Sequence, residues 1–360
     1  MGSLLSSPLM SQPAPEPRVA INGLGRIGRA LLHLAVQRDD FRIVAVNDVA
    51  PLSQLLPLIR RDSVHGVFPG AVETRAGVSG EPATLVLAGE EVCVSAERDP
   101  ARIPWLDAAP EIVVEATGTM SRREQVAAHL RPGVAHVLMS ANLADADFTV
   151  CLGVNDDRLD PTTQRVISNA SCTTNCMAPV ALVLHRAFGL RRGLLTTVHS
   201  YTRGQELLDA PLADARRARA AAINIVPTST GAARAVGLVL PELAGRLDAQ
   251  AVRVPVAAVS MVQFVLELDA TPSLAEVADA FRRAEQGGLA GILATTDEEL
   301  VSTDFIGHSA SAIVDLPLLQ HVDGGRLLRV VAWYDNEWGY ASRLADLITR
   351  LGRARRGASA

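Results

Sequence analysis

The chain has 360 residues, 48% of them hydrophobic and 20% charged, with 34 basic against 39 acidic side chains and a formal net charge of -5. That composition excludes a disordered or fibrous protein, and no basic run is dense enough to make a nucleic-acid surface. Every basic residue is arginine, so a lysine Schiff base, a PLP lysine and a Walker A lysine are all excluded. The length favours two domains. Four cysteines (Cys93, Cys151, Cys172, Cys176) are too few for a disulfide framework, and their spacing offers no metal site. No run of 18 apolar residues is present, so neither a membrane partner nor a spanning segment is expected, and the chain reads as cytoplasmic. Residues 1–17 read as a disordered tail without the basic start and apolar core of a signal peptide.

Arg18–Asn22 is a short β-rich run followed at once by Gly23-Leu24-Gly25-Arg26-Ile27-Gly28. Apolar residues at Ile27, Ala30, Leu31, Leu34 and Ala35 then mark one face of a helix, and Arg42–Val46 a second buried strand ending in Asn47-Asp48. A glycine-rich turn between strand and helix, with an acid after the next strand, is a dinucleotide-binding pattern. Gly23 makes the tight turn, Gly25 leaves room for a pyrophosphate, and Gly28 lets the helix close on the strand. Asp48 would accept bonds from the adenosine ribose and repel a 2′-phosphate, favouring NAD over NADP. Further strands are expected at Thr84–Leu87, Glu91–Val94, Glu111–Glu115 and Val137–Ser140. A helix from Ser121 to Leu130 opens on Ser121-x-x-Glu124, the pattern of a capping box.

Val166–Ser168 reads as a strand, and the small polar residues after it place Cys172 at a helix N-terminus, where its thiol pKa should be lowered. Cys176, one turn on, suits core packing, and Pro179 should kink the helix. Leu194–Val198 is a strand that delivers His199. A cysteine at a helix start and a histidine at a strand end 27 residues on can meet as a thiolate–imidazolium pair; the other seven histidines read as structural or surface. Arg216, Arg217 and Arg219, the turn Thr228-Ser229-Thr230-Gly231, and Arg253 together suggest phosphate groups. Val262–Leu268 and Val330–Tyr334 read as strands. Ser273-x-x-Glu276 caps a helix, Tyr340–Leu351 forms a last one, and Gly352–Ala360 reads as a frayed basic tail.

With these residues in view, the chain resembles the phosphorylating glyceraldehyde-3-phosphate dehydrogenases. The matching segments include INGLGRIGR, VISNASCTTNCMAPV, TTVHSYT, ARRARAAAINIVPTSTGAARAVGLVLPEL and VVAWYDNEWGYASRL, spread from Val19 to about Leu347. The resemblance implies an α/β chain: a Rossmann-type, doubly wound NAD-binding domain (18–171), then an α+β catalytic domain with a largely antiparallel sheet (172–338). A C-terminal helix (339–360) would pack back on the first domain. It further implies an NAD-dependent, phosphorylating oxidation of glyceraldehyde 3-phosphate to 1,3-bisphosphoglycerate, with Cys172 as nucleophile, His199 as base, and a thioester between them and the product. The substrates are then an aldehyde phosphate and inorganic phosphate, and the assembly a homotetramer. Two anion sites carry over onto Ser171, Thr173, Thr230, Gly231 and Arg217 on one side, and Thr202 and Arg253 on the other. Arg26, Ile27, Arg98, Ser140 and Asn336 match cofactor contacts, with Asn336 on the nicotinamide amide.

The chain departs from the family pattern in places. Arg203-Gly204 stand where Asn-Asp is usual, Val256-Ala257-Ala258 replace Thr-Pro-Asn, and Asn142 replaces a proline. Ala210 stands where strictly NAD-using members often carry leucine, which eases NADP entry as a weaker alternative. Erythrose-4-phosphate dehydrogenase is the neighbouring activity, although its members usually depart at the Thr-rich turn kept here. A weakly catalytic or an inhibitor-tolerant paralogue is a further alternative.

Overall fold

The computed structural model describes residues 16–75 and 84–357. Residues 1–15 of the expected tail and 358–360 of the basic C-terminus lie outside the described residues. Two large sheets organise the molecule. In the first, nine strands run in the order Phe148–Thr149, Val166–Ser168, His136–Met139, Ile112–Glu115, Arg18–Asn22, Arg42–Asn47, Glu90–Ser95, Thr84–Leu87, Val72–Arg75. The first seven pair in parallel, and the last two add an antiparallel meander. Ile112–Glu115 is buried at all four positions, as befits a parallel strand covered on both faces. Arg18–Asn22 lies between Arg42–Asn47 and Ile112–Glu115, so the chain winds outward in both directions from it. The carboxyl ends of these strands open a crevice at that reversal point.

The second sheet runs Val226–Ser229, Leu247–Val254, Leu190–Ser200, Ser260–Leu268, Leu327–Tyr334, Ala312–Asp315, Leu293–Thr296. Its pairs are antiparallel except Leu190–Ser200 with Leu247–Val254 and Leu293–Thr296 with Ala312–Asp315. Ser260–Leu268 alternates buried and half-buried along its length, the signature of a strand with one face on a core. Against that face lies the helix Cys172–Phe188, which is buried continuously from Thr173 to Leu184. The side chain of Cys172 packs against both this core and that of the first sheet.

Several local expectations are corrected. The helix expected from Ser121 spans only Arg123–Ala127. The Gln125 carboxamide oxygen accepts from the backbone N–H of Ser121 and Arg122, at 3.1 and 3.2 Å, and so displaces the Ser121/Glu124 pairing. Pro179, where a kink is expected, lies inside a helix that continues to Phe188. The last helix is longer at both ends than expected, Trp338–Gly357. Its residues Tyr340, Leu344, Leu347, Ile348 and Leu351 are buried with Val19, Leu31 and Leu34 in the core of the first sheet. Pro17, placed in the tail from the sequence, is buried and accepts a bond from the Arg42 N–H at 3.0 Å. Among the described residues no helix is long and apolar enough to cross a membrane.

Candidate active site

The glycine-rich turn sits on the crevice. Gly23 has φ +98°, and a Cβ there would meet the Thr117 backbone nitrogen at 2.7 Å, so the turn has room for glycine only. At Gly28 a Cβ would lie 2.1 Å from the Gly23 carbonyl oxygen, whereas at Gly25 nothing lies within 4 Å. The helix Arg26–Arg38 starts at this open spot with no side-chain cap, which leaves first-turn N–H groups for an anion. Asp48 ends the neighbouring strand and is held there; its oxygens accept from the N–H of Leu24 and Ala50, both at 2.8 Å. These residues fit a dinucleotide. Ile27 is half-buried in the same turn, Arg98 stands exposed beyond Glu90–Ser95, and the Ser140 N–H is bonded to the Glu115 carbonyl at 2.9 Å. The Arg26 guanidinium is turned away from the crevice, onto Glu337 at 2.8 and 2.5 Å and onto Asp62. Only its backbone therefore faces the phosphate position.

Ser171 caps the cysteine helix, its hydroxyl accepting from the Thr174 N–H at 3.1 Å and bonding the Thr174 hydroxyl at 2.8 Å. Just before it, Ala170 adopts φ +53°, a left-handed corner that alanine occupies at a cost. The corner is held by the Tyr340 hydroxyl, which donates to the Ala170 carbonyl at 3.1 Å, and by the Ala170 N–H, which donates to Ser168 Oγ at 3.1 Å. Cys172 Sγ thus projects from the first turn, 3.6 Å from His199 Nε2. His199 comes from the strand Leu190–Ser200, whose parallel register sets it beside Arg253. Its Nδ1 lies 2.7 Å from the Ser200 carbonyl and 2.6 Å from Arg253 Nη1.

The expected lowering of the thiol pKa is reversed. Burial pushes the Cys172 thiol up, against the Thr173 hydroxyl and the Arg253 charge, which act the other way. Burial, reinforced by Arg253, pushes the His199 imidazole down to about 3. Burial therefore opposes the charged form of both members of the pair.

Of the anion-site residues, Arg217 donates to Thr228 Oγ1 at 2.9 Å, on the strand that leads into Thr230 and Gly231 at the start of the helix Ala232–Val239. Thr230 Oγ1 accepts from the Ala232 N–H at 3.2 Å. Arg253 is adjacent to His199, and Thr202 is exposed three residues beyond it. The Thr173 hydroxyl is not brought to this group. It is buried and bonded to the Tyr334 hydroxyl at 3.0 Å, so any part it plays toward an anion falls to its backbone.

Asn336 is buried, and its Oδ1 accepts from Ser200 Oγ at 2.9 Å and Ser260 Oγ at 3.3 Å, leaving Nδ2 to donate. The sequence reading missed both serines. Ser260 follows Val259, which holds φ +67°, a strained conformation for a β-branched residue. Asp335 and His65 were missed as well, His65 having been grouped with the structural histidines. A hint lay in the acid directly before Asn336. Among the described residues no group of three His, Cys, Asp or Glu side chains could hold a metal ion.

A doubly wound sheet with a glycine turn, joined to a domain presenting a cysteine beside a histidine, defines the class of nicotinamide-nucleotide-dependent oxidoreductases. Family models agree: residues 17–123 match the "Glyceraldehyde 3-phosphate dehydrogenase, NAD binding domain" and residues 171–336 its "C-terminal domain". The chain is similar to a glyceraldehyde-3-phosphate dehydrogenase of Geobacillus stearothermophilus, at 48% identity over 330 residues, 92% of this chain and 96% of that one. It is likewise similar to glyceraldehyde-3-phosphate dehydrogenase 1 of Bacillus cereus, at 47% over 330 residues (92% and 97%), and to glyceraldehyde-3-phosphate dehydrogenase 2 of Streptomyces arenae, at 46% over 336 residues (93% and 98%). The chain belongs to the glyceraldehyde-3-phosphate dehydrogenase family, and its cofactor is NAD.

Proposed function

We propose that the chain catalyses the phosphorylating oxidation of glyceraldehyde 3-phosphate to 1,3-bisphosphoglycerate through a thioester on Cys172. The observation that carries this reading is the 3.6 Å approach of Cys172 Sγ to His199 Nε2 at a helix start, with Arg253 alongside. The reaction needs the tautomer with the proton on Nδ1, donated to the Ser200 carbonyl, with Arg253 Nη1 donating to that same carbonyl at 3.1 Å rather than to the ring. His199 then turns the Nε2 lone pair to sulfur. As sulfur bonds to the aldehyde carbon, the thiol proton passes to Nε2 and the carbonyl π-electrons move to oxygen. The Cys172 N–H, in the first turn of its helix, stabilises the oxyanion before it takes the proton back from Nε2 as a hemithioacetal. Nε2 then removes the hydroxyl proton while the carbon gives up hydride. Bound NAD supplies the hydride acceptor. Phosphate oxygen attacks the resulting thioester carbon, the C–S bond breaks, and sulfur leaves with the electron pair to be reprotonated.

Arg253 and Thr202 would hold the aldehyde's phosphate, and Arg217, Thr230 and Gly231 the attacking phosphate, with the Ser171 and Thr173 backbone beside it. The names carried by the relatives favour glyceraldehyde 3-phosphate over erythrose 4-phosphate, and the intact Cys172–His199 geometry favours an active enzyme over a binding paralogue. The 201–225 segment exposes Leu207, Leu208, Ile223 and Ile225, each more than 70% accessible. Apolar exposure on that scale suits burial against further copies of the chain, which supports a homotetramer. A cytoplasmic site of action follows from a glycolytic substrate. The test is kcat/KM for both aldehyde phosphates with NAD and with inorganic phosphate, together with trapping of an acyl group on Cys172 by mass spectrometry. A preference for erythrose 4-phosphate, or an acyl group at another residue, would overturn the assignment.

A further inference from the structure

The segment carrying Asn336 is held from the first domain. The Asp335 carboxylate is buried, and four donors close on it. Its Oδ1 accepts from the N–H of Glu337 and of Trp338, both at 2.9 Å, and its Oδ2 accepts from the Gly307 N–H at 2.8 Å and faces His65 Nε2 at 3.2 Å. Three of these donors are backbone groups of the second half of the chain; His65 comes from the turn between the short paired strands Arg61–Asp62 and Gly66–Val67, which follow the helix Leu52–Arg60. The other ring nitrogen of His65, Nδ1, lies 3.3 Å from Arg26 Nη2, while the carboxylates of Asp62 and Glu337 are farther, at 3.7 Å. A guanidinium only donates, so Nδ1 accepts and Nε2 carries the proton that goes to Asp335. The His65 backbone N–H is itself fixed to Asp62 Oδ1 at 3.0 Å, and its ring lies 5.2 Å from that of Trp338.

Arg26 is the first residue of the helix that starts at the open glycine turn, and Asn336 is the next residue after Asp335. An unbroken path therefore joins the two ends of the crevice: the pyrophosphate turn, Arg26, His65, Asp335, Asn336. At its far end the Asn336 carboxamide is oriented by Ser200, the residue directly after His199. We infer that His65 is a positioning residue for hydride transfer. Its ring fixes the Asp335–Asn336 segment, and so the height and tilt at which the Asn336 Nδ2 meets the nicotinamide amide, from the domain that binds the other end of the same cofactor. This rests on the reading of Asn336 as the amide's partner. It assigns a purpose to a histidine whose ring is engaged by Asp335, Arg26 and Trp338. A misplacement near 1 Å at a reacting group lowers rates by up to about 10²-fold, so a loss of roughly tenfold is expected from an indirect hold.

The test compares the unmodified enzyme with His65→Leu, His65→Gln, Asn336→Ala and the double variant His65→Leu/Asn336→Ala. The readouts are single-turnover hydride transfer with NAD and with thionicotinamide adenine dinucleotide, whose altered amide binds Asn336 less well, together with ADP-ribose affinity and Tm. His65→Leu should slow hydride transfer with NAD about tenfold and narrow the preference for NAD over the thio analogue, with ADP-ribose affinity unchanged. His65→Gln, which keeps a donor toward Asp335, should recover most of the rate. The double variant should be no slower than Asn336→Ala alone. If Asn336→Ala leaves analogue discrimination untouched, the role of Asn336 fails. If Asn336→Ala removes discrimination but His65→Leu preserves it, or lowers Tm and ADP-ribose affinity without a change in discrimination, the inference about His65 is overturned.

Discussion

Cofactor choice turns on a carboxylate that the fold will not let move. Asp48 lies at the end of Arg42–Asn47 with each oxygen bonded to a backbone N–H at 2.8 Å, so it cannot swing aside for a 2′-phosphate. Two like charges about 4 Å apart repel by about 1 kcal/mol in water and about 4 kcal/mol at an effective dielectric near 20. At about 1.4 kcal/mol per factor of ten, that is roughly 5-fold to nearly 10³-fold against NADP. Asp48 is half-buried, which places the expected value between these limits, at tenfold or more by this rough scale. Ala210, whose N–H is bonded to the Ala218 carbonyl at 2.9 Å, brings only a methyl group and no donor for the phosphate. The informative variant is Asp48→Asn rather than alanine. The amide keeps an oxygen for the Leu24 N–H, and stranding that donor would cost about 1–3 kcal/mol unrelated to the cofactor. The assay is kcat/KM with NAD and with NADP at fixed aldehyde phosphate. NAD should lead in the unmodified enzyme, and Asp48→Asn should close the gap chiefly by raising the NADP value. Equal values before mutation, or a ratio that Asp48→Asn leaves in place, would refute the electrostatic account.

Cys172→Ser should abolish acyl transfer while NAD affinity, measured by fluorescence titration, stays intact, because the glycine turn lies apart from the thiol. His199→Asn should slow hydride transfer by roughly 10²–10⁴-fold, the range for loss of a positioned base, as read in single turnovers. His33 and His136 are held below the usual histidine pKa by burial, so the fold keeps them neutral while the unfolded chain takes up protons below about pH 6.5. Stability present above that pH is therefore lost as the pH falls, and Tm should drop between pH 7 and 5, a window above the carboxylate range. His136 Nε2 donates to the Pro161 carbonyl at 2.9 Å and its Nδ1 has no hydrogen-bond partner, so His136→Gln should flatten the profile.

Much of this was legible in the chain because it depends on short-range pattern. The turn from Gly23 to Gly28, the cysteine after Ser171 and the histidine at a strand end each announce themselves within a dozen residues, and the Ser273/Glu276 capping box forms as written. What escaped depends on partners far away in sequence. His65 meets Asp335 across 270 positions, and Tyr334 claims the Thr173 hydroxyl across 161. The ionisation of the thiol was misjudged for a related reason. A helix start is visible locally, but the burial that outweighs it comes from two cores closing over Cys172. That Arg26 could serve a cofactor only through its backbone was likewise not legible, because Asp62 and Glu337, which hold its guanidinium, are not its neighbours in the sequence.

The closing helix, Trp338–Gly357, has a bearing on how the protein is made. Its 20 residues supply interior side chains to a sheet whose first strand begins at Arg18, and its Tyr340 hydroxyl pins the backbone corner that aims the nucleophile. While the ribosome is still working, Leu31 and Leu34 lack the cover that this helix provides, and the core of the first sheet stays incomplete. Release of the full-length chain is thus the event that both seals that half and sets the thiol. A chain that stopped before Tyr340 would lack both the side chains that complete this core and the hydroxyl that holds the Ala170 corner, and would be protease-sensitive and inert at once.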